Sequence, residues 1–291
     1  KSRNRIESLF GRFNYDYMQK YLLSFTFRYD GNSKLKDNRW GFFPGVSLGW
    51  NMMEEDFWKA SKLSKVISNI KPRISYGSNG NVSGIGDFYI YGVYDQLTNY
   101  NGNTAFYDRS LVNTALKWEQ SHTFEAGLDL GFFKNRLSFI LDYYVRNTSN
   151  LLQSVNLPSY LGFKSIQTNL GKLRNQGFEM EVRATPVHLR NGFRWDLSFN
   201  LSTVKNTIIK LPKSERPFNQ LEGVEVAAGK VDANGHTPTK WIGGYREGGK
   251  LGDLYSYKQD HIFRDWDDIR QHANKRIDNV AKLYGPGLAD E

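Results

Sequence analysis

The chain alternates apolar and polar residues at a spacing of two through one stretch after another. From 21 to 30 the odd positions are Tyr21, Leu23, Phe25, Phe27 and Tyr29, and the even ones after Leu22 are Ser24, Thr26, Arg28 and Asp30. From 193 to 202, Phe193, Trp195, Leu197, Phe199 and Leu201 interleave with Arg194, Asp196, Ser198, Asn200 and Ser202. Successive side chains of a strand point to opposite faces, so each stretch predicts a ribbon with one apolar and one polar side. Repeated along a chain, this pattern suits a β-barrel in a bilayer, with hydrocarbon outside and water or polar filling inside. A soluble β-sandwich alternates too, so periodicity by itself leaves both open.

The pattern predicts strands over about 5–17, 20–30, 40–51, 71–76, 115–131, 136–147, 170–186 and 193–202, and a ninth near 251–263. Tight links fall at Met18-Gln19-Lys20, Phe133-Lys134-Asn135 and Asn191-Gly192. Long polar loops fall at 31–39, from 77 to about 113, around Pro158 and over about 205–244. Residues 54–69 read as a short helix, with Glu54, Glu55 and Asp56 at the N-terminus, where the macrodipole favours them. The tail beyond Trp266 mixes a helical stretch with Gly285-Pro286-Gly287. One rim of short turns and one of long loops is the layout of an outer-membrane meander, with turns in the periplasm and loops outside the cell. The pairs Tyr15/Tyr17, Phe132/Phe133 and Tyr143/Tyr144 sit near strand ends, where interfacial girdles belong.

Aromatic residues make up 15% of the 291 positions, yet the mean hydropathy of −0.59 is too polar for a helical membrane protein. No run approaches the ~18 consecutive apolar residues of a spanning helix. The two facts agree when the apolar residues are dispersed at period two. With no cysteine, disulfides and thiolate metal sites are excluded. The net charge of +9 is spread through strands and loops rather than gathered in a basic block, which reads as lumen and loop charge and not as a nucleic-acid footprint. No apolar signal core follows Lys1-Ser2-Arg3-Asn4-Arg5, so an export signal is expected to have been removed or to lie upstream.

The sequence offers little for catalysis. His122, His188, His236, His261 and His272 are not spaced as metal ligands, and Ser121 and His122, being neighbours on a strand, point to opposite faces. Glu179 and Glu181 share a face with Arg183, which reads as a polar ladder rather than an acid–base pair. Asp265-Trp266-Asp267-Asp268 lacks the later Gly and Glu of a calcium loop, and Gly84-Ile85-Gly86 is too short for a phosphate cradle. No catalytic residue, metal or cofactor is expected. The candidates for a polar, lumen-facing surface are Arg28, Glu125, Asp129, Glu179, Glu181, Arg183, Arg194 and Asp196. In the 82–112 loop, Tyr89, Tyr91, Tyr94, Tyr100, Phe106 and Tyr107 stand among Asn and Gly, a chemistry suited to sugar or peptide recognition or to packing on a partner.

Several segments go beyond pattern. Phe25-Thr26-Phe27-Arg28-Tyr29-Asp30-Gly31-Asn32-Ser33 and Asn38-Arg39-Trp40-Gly41-Phe42-Phe43-Pro44-Gly45-Val46-Ser47-Leu48-Gly49-Trp50 come first. Ile74-Ser75-Tyr76-Gly77-Ser78-Asn79-Gly80-Asn81, Leu116-Lys117-Trp118-Glu119, Gly127-Leu128-Asp129-Leu130-Gly131, Asn135-Arg136-Leu137 and Asp142-Tyr143-Tyr144 follow. The last are Asn169-Leu170-Gly171-Lys172-Leu173-Arg174-Asn175-Gln176-Gly177-Phe178-Glu179 and Trp195-Asp196-Leu197-Ser198-Phe199-Asn200. In this order, across roughly 8–265, they resemble the SusC/RagA group of TonB-dependent outer-membrane transporters. The resemblance implies an all-β fold, part of a plugged transmembrane antiparallel barrel of about 22 strands. It also implies import of oligosaccharides or peptides across the outer membrane of Bacteroidetes-like bacteria. The partners it implies are a SusD-like surface lipoprotein, the TonB system acting through a plug, and outer-membrane lipid. The family's plug, TonB box and C-terminal strands are not found within 1–291, so the whole chain reads as an internal piece of the barrel domain. The competing readings are a small closed barrel with a structural or adhesive role, and a membrane-embedded hydrolase, for which no nucleophile–base pair is visible.

Overall fold

The computed structural model describes residues 3–92, 94–101, 103–108, 111–189, 192–227, 235–253 and 266–267. Its strands in chain order are β1 (Ile6–Tyr17), β2 (Tyr21–Asn32), β3 (Trp40–Trp50), β4 (Ile67–Asn81), β5 (Tyr94–Tyr100), β6 (Asn103–Asp108), β7 (Glu119–Phe132), β8 (Leu137–Asn156), β9 (Ser165–His188), β10 (Arg194–Lys210), β11 (Val224–Ala227) and β12 (Thr239–Ile242). The chain divides into two units, Lys1–Asn219 with Arg246–Leu251, and Gln220–Tyr245 with Gly252–Glu291. The first holds an eight-stranded antiparallel sheet in the order β1-β2-β3-β4-β7-β8-β9-β10, with β5 and β6 as a separate hairpin inside one loop. The second holds the β11–β12 hairpin.

Registers across the sheet keep each face chemically uniform. Phe13 lies opposite Phe25, which lies opposite Val46. Farther across the sheet, Tyr76, Phe124, Val145 and then Leu141, Met180, Leu201 continue the same face. Among the described residues nothing packs on this apolar face: Phe25 is 41% exposed, Trp195 51% and Phe199 55%. A water-soluble sandwich would have buried those side chains against a second sheet. Among the described residues no pairing joins β1 to β10, so the sheet is an open wall.

Proline marks where the ladders are interrupted. The β3–β4 ladder has five pairs, from Gly45↔Gly77 to Gly49↔Arg73. Pro44 lies just beyond one end and Pro72 just beyond the other, each still paired to its other neighbour strand. A proline has no N–H to give, so the ladder stops on the side where one would be needed. Pro186 falls in the bulge where β9 and β10 change register between Trp195 and Leu197.

Among the described residues the buried hydrophobic cluster lies at the long-loop rim, where Leu35, Phe43, Val82, Ile85, Leu116 and Trp118 pack together with Tyr89 and Leu152 against them. The Phe43 and Trp118 rings meet edge to face at 5.4 Å, and Trp118 Nε1 donates to the Arg39 carbonyl at 2.9 Å. Gly80 is required beneath them: a Cβ there would stand 2.6 Å from Phe43 Cε1 and 2.8 Å from Trp118 Cε3. The glycines of 77–81 therefore belong to a strand, and β4 runs past the end at 76 that turn-like composition predicts. Conversely, 115–118 is no strand, because Leu116 and Trp118 are drawn into this cluster.

At the opposite rim the helix expected over 54–69 is broken into 3₁₀ turns at Met52–Glu54 and Lys62–Lys65 around a single α-helical turn, Asp56–Lys59, and 67–69 already belongs to β4. Ser61, in extended conformation, caps the second 3₁₀ turn by accepting from Leu63 N–H. Glu55 clips this segment to the sheet: it accepts from Tyr21 Oη at 2.8 Å, Trp50 Nε1 at 3.1 Å and Lys20 Nζ at 3.1 Å. The loop expected over 77–113 contains the β5–β6 hairpin, and the one over 205–244 contains the end of β10 and the β11–β12 hairpin. From 254 the expected ninth strand lies outside the described residues, as does Asn191 of the predicted turn.

Two outcomes follow from this packing. Gly80→Val is expected to cost about 1–3 kcal/mol by overpacking Phe43 and Trp118, read as a lower urea midpoint for amide protection across 35–43 and 116–118. Hydrogen bonds from Tyr21, Trp50 and Lys20 hold the Glu55 carboxyl below its ordinary range. A depressed carboxyl stabilises above its unfolded pKa and loses that contribution as pH falls through the folded value. Amide exchange over 52–66 should therefore stay slow at neutral pH and quicken only below the usual glutamate range, whereas Glu55→Gln should be fast at both.

Candidate functional site

The polar face carries every carboxylate of the eight strands except Glu7. At its centre Arg73 of β4 lies opposite Gly127 of β7, which lies opposite Asp142 of β8. The guanidinium reaches across the glycine to three carboxylates: Nη2 to Asp142 Oδ2 at 2.7 Å, Nη1 to Glu125 Oε1 at 3.0 Å and Nε to Asp129 Oδ1 at 3.2 Å. Gly127 makes this possible, since a Cβ there would stand 2.6 Å from Arg73 Cζ and would also strike the Asp142 carboxylate. Arg suits the role because its planar fork donates in several directions at once. One cation among three anions leaves the cluster acidic, and Asp142 Oδ1 is buried without a hydrogen-bond partner.

Two of the concavities on this face lie at its centre. One, of about 540 Å³, is lined by Ser24, Ser47, Lys71, Arg73 and Glu125 among others. The second, of about 460 Å³, is lined by Glu125, Asp142, Tyr144, Arg146, Asn175 and Glu179 among others. Glu125 borders both. Polar groups dominate the second lining, whereas the first sets Ser24, Ser47, Lys71, Arg73 and Glu125 beside Leu22, Leu48 and Ile74; both can hydrogen-bond a hydrophilic solute or another polar protein surface.

The sequence candidates all fall on this face, mostly as local pairs. Arg28 binds Asp30 on its own strand at 3.0 Å, and Arg194 binds Asp196 at 2.8 Å, with Thr185 Oγ1 donating to Asp196 at 2.6 Å. Glu181 is paired with Arg183, two residues along the same strand. Glu179 lies opposite Asp142, one carboxylate facing another. Glu125 and Asp129 join Arg73, which sequence reasoning missed together with Asp142. The signal was present in Lys71, Arg73 and Ser75 at period two, but Pro72 and the glycines hid the strand's extent. Ser121 bonds Thr148 and His122 bonds Tyr76, on opposite faces, as strand geometry requires.

The loop aromatics do not form one patch. Tyr89 turns into the buried cluster and donates its hydroxyl to the Leu111 carbonyl at 3.1 Å. In the β5–β6 hairpin, Gln96 pairs with Phe106 and Tyr94 with Asp108, so Tyr94 and Phe106 share a face that Tyr107, paired with Asp95, does not. Tyr91, Tyr94 and Phe106 are among the most exposed aromatic residues, at 72%, 65% and 68%. The side chain of Tyr100 lies outside the described residues.

With this wall in view, the comparison with known proteins is decisive. The family described as TonB dependent receptor-like, beta-barrel, matches residues 1–281. The chain belongs to the TonB-dependent receptor β-barrel family. The TonB-dependent receptor SusC of Bacteroides thetaiotaomicron is 36% identical over 267 residues, covering 89% of this chain and 25% of that protein. The TonB-dependent receptor P39 of Formosa agariphila is 35% identical over 262 residues, covering 89% of this chain and 22% of that one. Among solved structures, the RagAB peptide importer in its open-open state superposes with a TM-score of 0.66 at 25% identity, covering 82% of this chain and 25% of that one. This receptor-family chain thus spans about a quarter of the length of these relatives, and its place is the bacterial outer membrane.

The ion-pair cluster makes a testable demand on this wall. Arg73→Ala should destabilise the sheet by about 2 kcal/mol, less than the 3–5 of a fully buried pair because Arg73 is about a third exposed. Adding Glu125→Gln and Asp129→Asn to Arg73→Ala should recover most of that loss in urea unfolding, since the neutral pair no longer repels Asp142.

Proposed function

We propose that this chain forms barrel wall and extracellular loops of a TonB-dependent importer of oligosaccharides or peptides. The single observation that carries the reading is the two-faced wall: an apolar face that no described residue covers, backed by a polar face holding the carboxylates. On this reading hydrocarbon covers the first face, and the second lines a wet lumen closed by a plug. The apolar residues of β7 run from Phe124 to Phe132, and those of β8 from Leu137 to Val145. Eight residue steps at about 3.4 Å, tilted by about 40°, give a band about 21 Å tall, close to the hydrophobic height of outer-membrane barrels. Arg28, Glu125, Asp129, Glu179, Glu181, Arg183, Arg194 and Asp196 then face the lumen, where they bind water, solute or plug. Tyr91, Tyr94 and Phe106 stand on the outer side, available to a SusD-like lipoprotein or to the incoming solute. The open edges at β1 and β10 support a larger barrel over a small closed one, since unpaired strand edges are not tolerated in lipid.

Transport is binding followed by a plug rearrangement energised through TonB, and this wall supplies the polar, static side of that process. The test is made in the complete transporter. Phe199→Asp, on the apolar face, should abolish the heat-resistant folded barrel and uptake of labelled oligosaccharide and peptide mixtures. Ser47→Asp, on the polar face, should leave barrel assembly intact. Equal tolerance of both, or uptake persisting after deletion of β1 to β10, would overturn the reading.

A further inference from the structure

The apolar face does not end alike everywhere. On β9 the run Val182, Met180, Phe178 gives way toward the long loops to Gln176, Arg174 and Lys172, with exposed Leu170 at a bulge beyond them. On β10 it passes from Leu201 through Thr203 to Lys205, opposite Gln176. Lys172, Arg174 and Lys205 are all exposed. Lys172 and Lys205 make no ion pair among the described residues, and Arg174 gives only its Nε to the Asn147 side-chain oxygen, at 2.8 Å. The residues flanking them on that face are Gln120, His122, Asn147 and Thr207, none of them acidic. The single carboxylate on this side of the sheet, Glu7, belongs to β1 at the far edge. Lys210, set directly opposite Lys172, is the one cation here with an acid near it, Glu247.

Three cations on two adjacent strands, with no counter-charge among the described residues, repel one another unless an anion sits among them. All three stand just past the apolar band, with Arg174 about 13 Å along the strand from Phe178. On the proposed reading of this wall, on which the inference rests, that height is the headgroup level of the outer leaflet on the extracellular side. We propose that Lys172, Arg174 and Lys205 form a binding site for the phosphorylated sugar headgroup of an outer-leaflet glycolipid. The acyl chains lie along Phe178, Met180, Phe199 and Leu201 below. Arg174, its Nε oriented by Asn147, leaves both terminal nitrogens to a phosphate, and the two lysines close on it from either side. The acids on the opposite face are screened from the site by the sheet itself, which is how one strand carries Arg174 outward and Glu179 inward without mutual cancellation.

The test uses the complete transporter in nanodiscs, with diphosphoryl lipid A as the probe and its dephosphorylated form as control, bound lipid being counted by native mass spectrometry. The triple variant K172Q/R174Q/K205Q should bind diphosphoryl lipid A about a hundredfold more weakly, at about fivefold per cation removed. Binding of dephosphorylated lipid should be weak and unchanged. As a control for general charge, K62Q/K65Q at the short-turn rim should bind as the parent does. Unchanged lipid A binding by the triple variant overturns the inference, and so does equal preference for the two lipids. In the same samples, quenching of a tryptophan placed by Phe199→Trp with brominated acyl chains reports the wall itself. Quenching with unchanged lipid A affinity defeats the site alone, whereas no quenching defeats the barrel reading beneath it.

Discussion

Everything in this structure depends on strand parity, which parts the carboxylates from the main apolar band. A sheet one residue thick has two surfaces, and a slip of one residue in any register would exchange them. Here eight strands hold register such that nearly all carboxylates fall on one side and the large apolar residues on the other. No buried core of ordinary size enforces this arrangement, for the described core is a small cluster of loop residues. Backbone ladders and the solvents on either side do the enforcing. A wall of this kind is stable only where the two solvents differ, and for that reason composition, fold and location are one inference.

Within the polar face the Arg73 cluster shows how such a surface is held together. Cross-strand ion pairs need room for a long side chain to lie flat over its neighbour strand, and Gly127 supplies it. Elsewhere the charges settle locally, between residues two apart on one strand, as Arg28–Asp30, Arg183–Glu181 and Arg194–Asp196 do. The face thus keeps its groups oriented while exposing enough oxygen and nitrogen to bind a hydrophilic solute.

Much of this was legible in the sequence wherever one face met lipid-like surroundings and the other met water. β1, β2 and β3 were placed nearly to their ends, as was the turn at Phe133-Lys134-Asn135. The misplaced ends have a common physical reason. Where β8 and β9 extend beyond the apolar band, as at Ser149–Asn156 and Ser165–Asn169, Leu152 packs against the loop cluster and the register shifts at 149–152, so alternation disappears though the ladder continues. In β4 the cue was obscured by Pro72 and by glycines that make room for Phe43 and Trp118 rather than for a turn. Arg73 went unnoticed as a site residue for the same reason, since its partners come from strands more than fifty residues away and no local spacing announces them.

The prolines flanking the short ladder between β3 and β4 have a mechanical consequence. Five paired residues join those strands, against thirteen between β7 and β8. Above those five pairs Ser78 Oγ donates to the Pro44 carbonyl and Phe43 packs over Gly80, but below them no backbone pair joins the two strands. A lateral load on this wall would be taken up there first, leaving the stiffer panel from β4 to β10 to move as one plate. The seam gives the sheet a built-in crease, with compliance confined to one line and the ion-pair cluster kept rigid beside it.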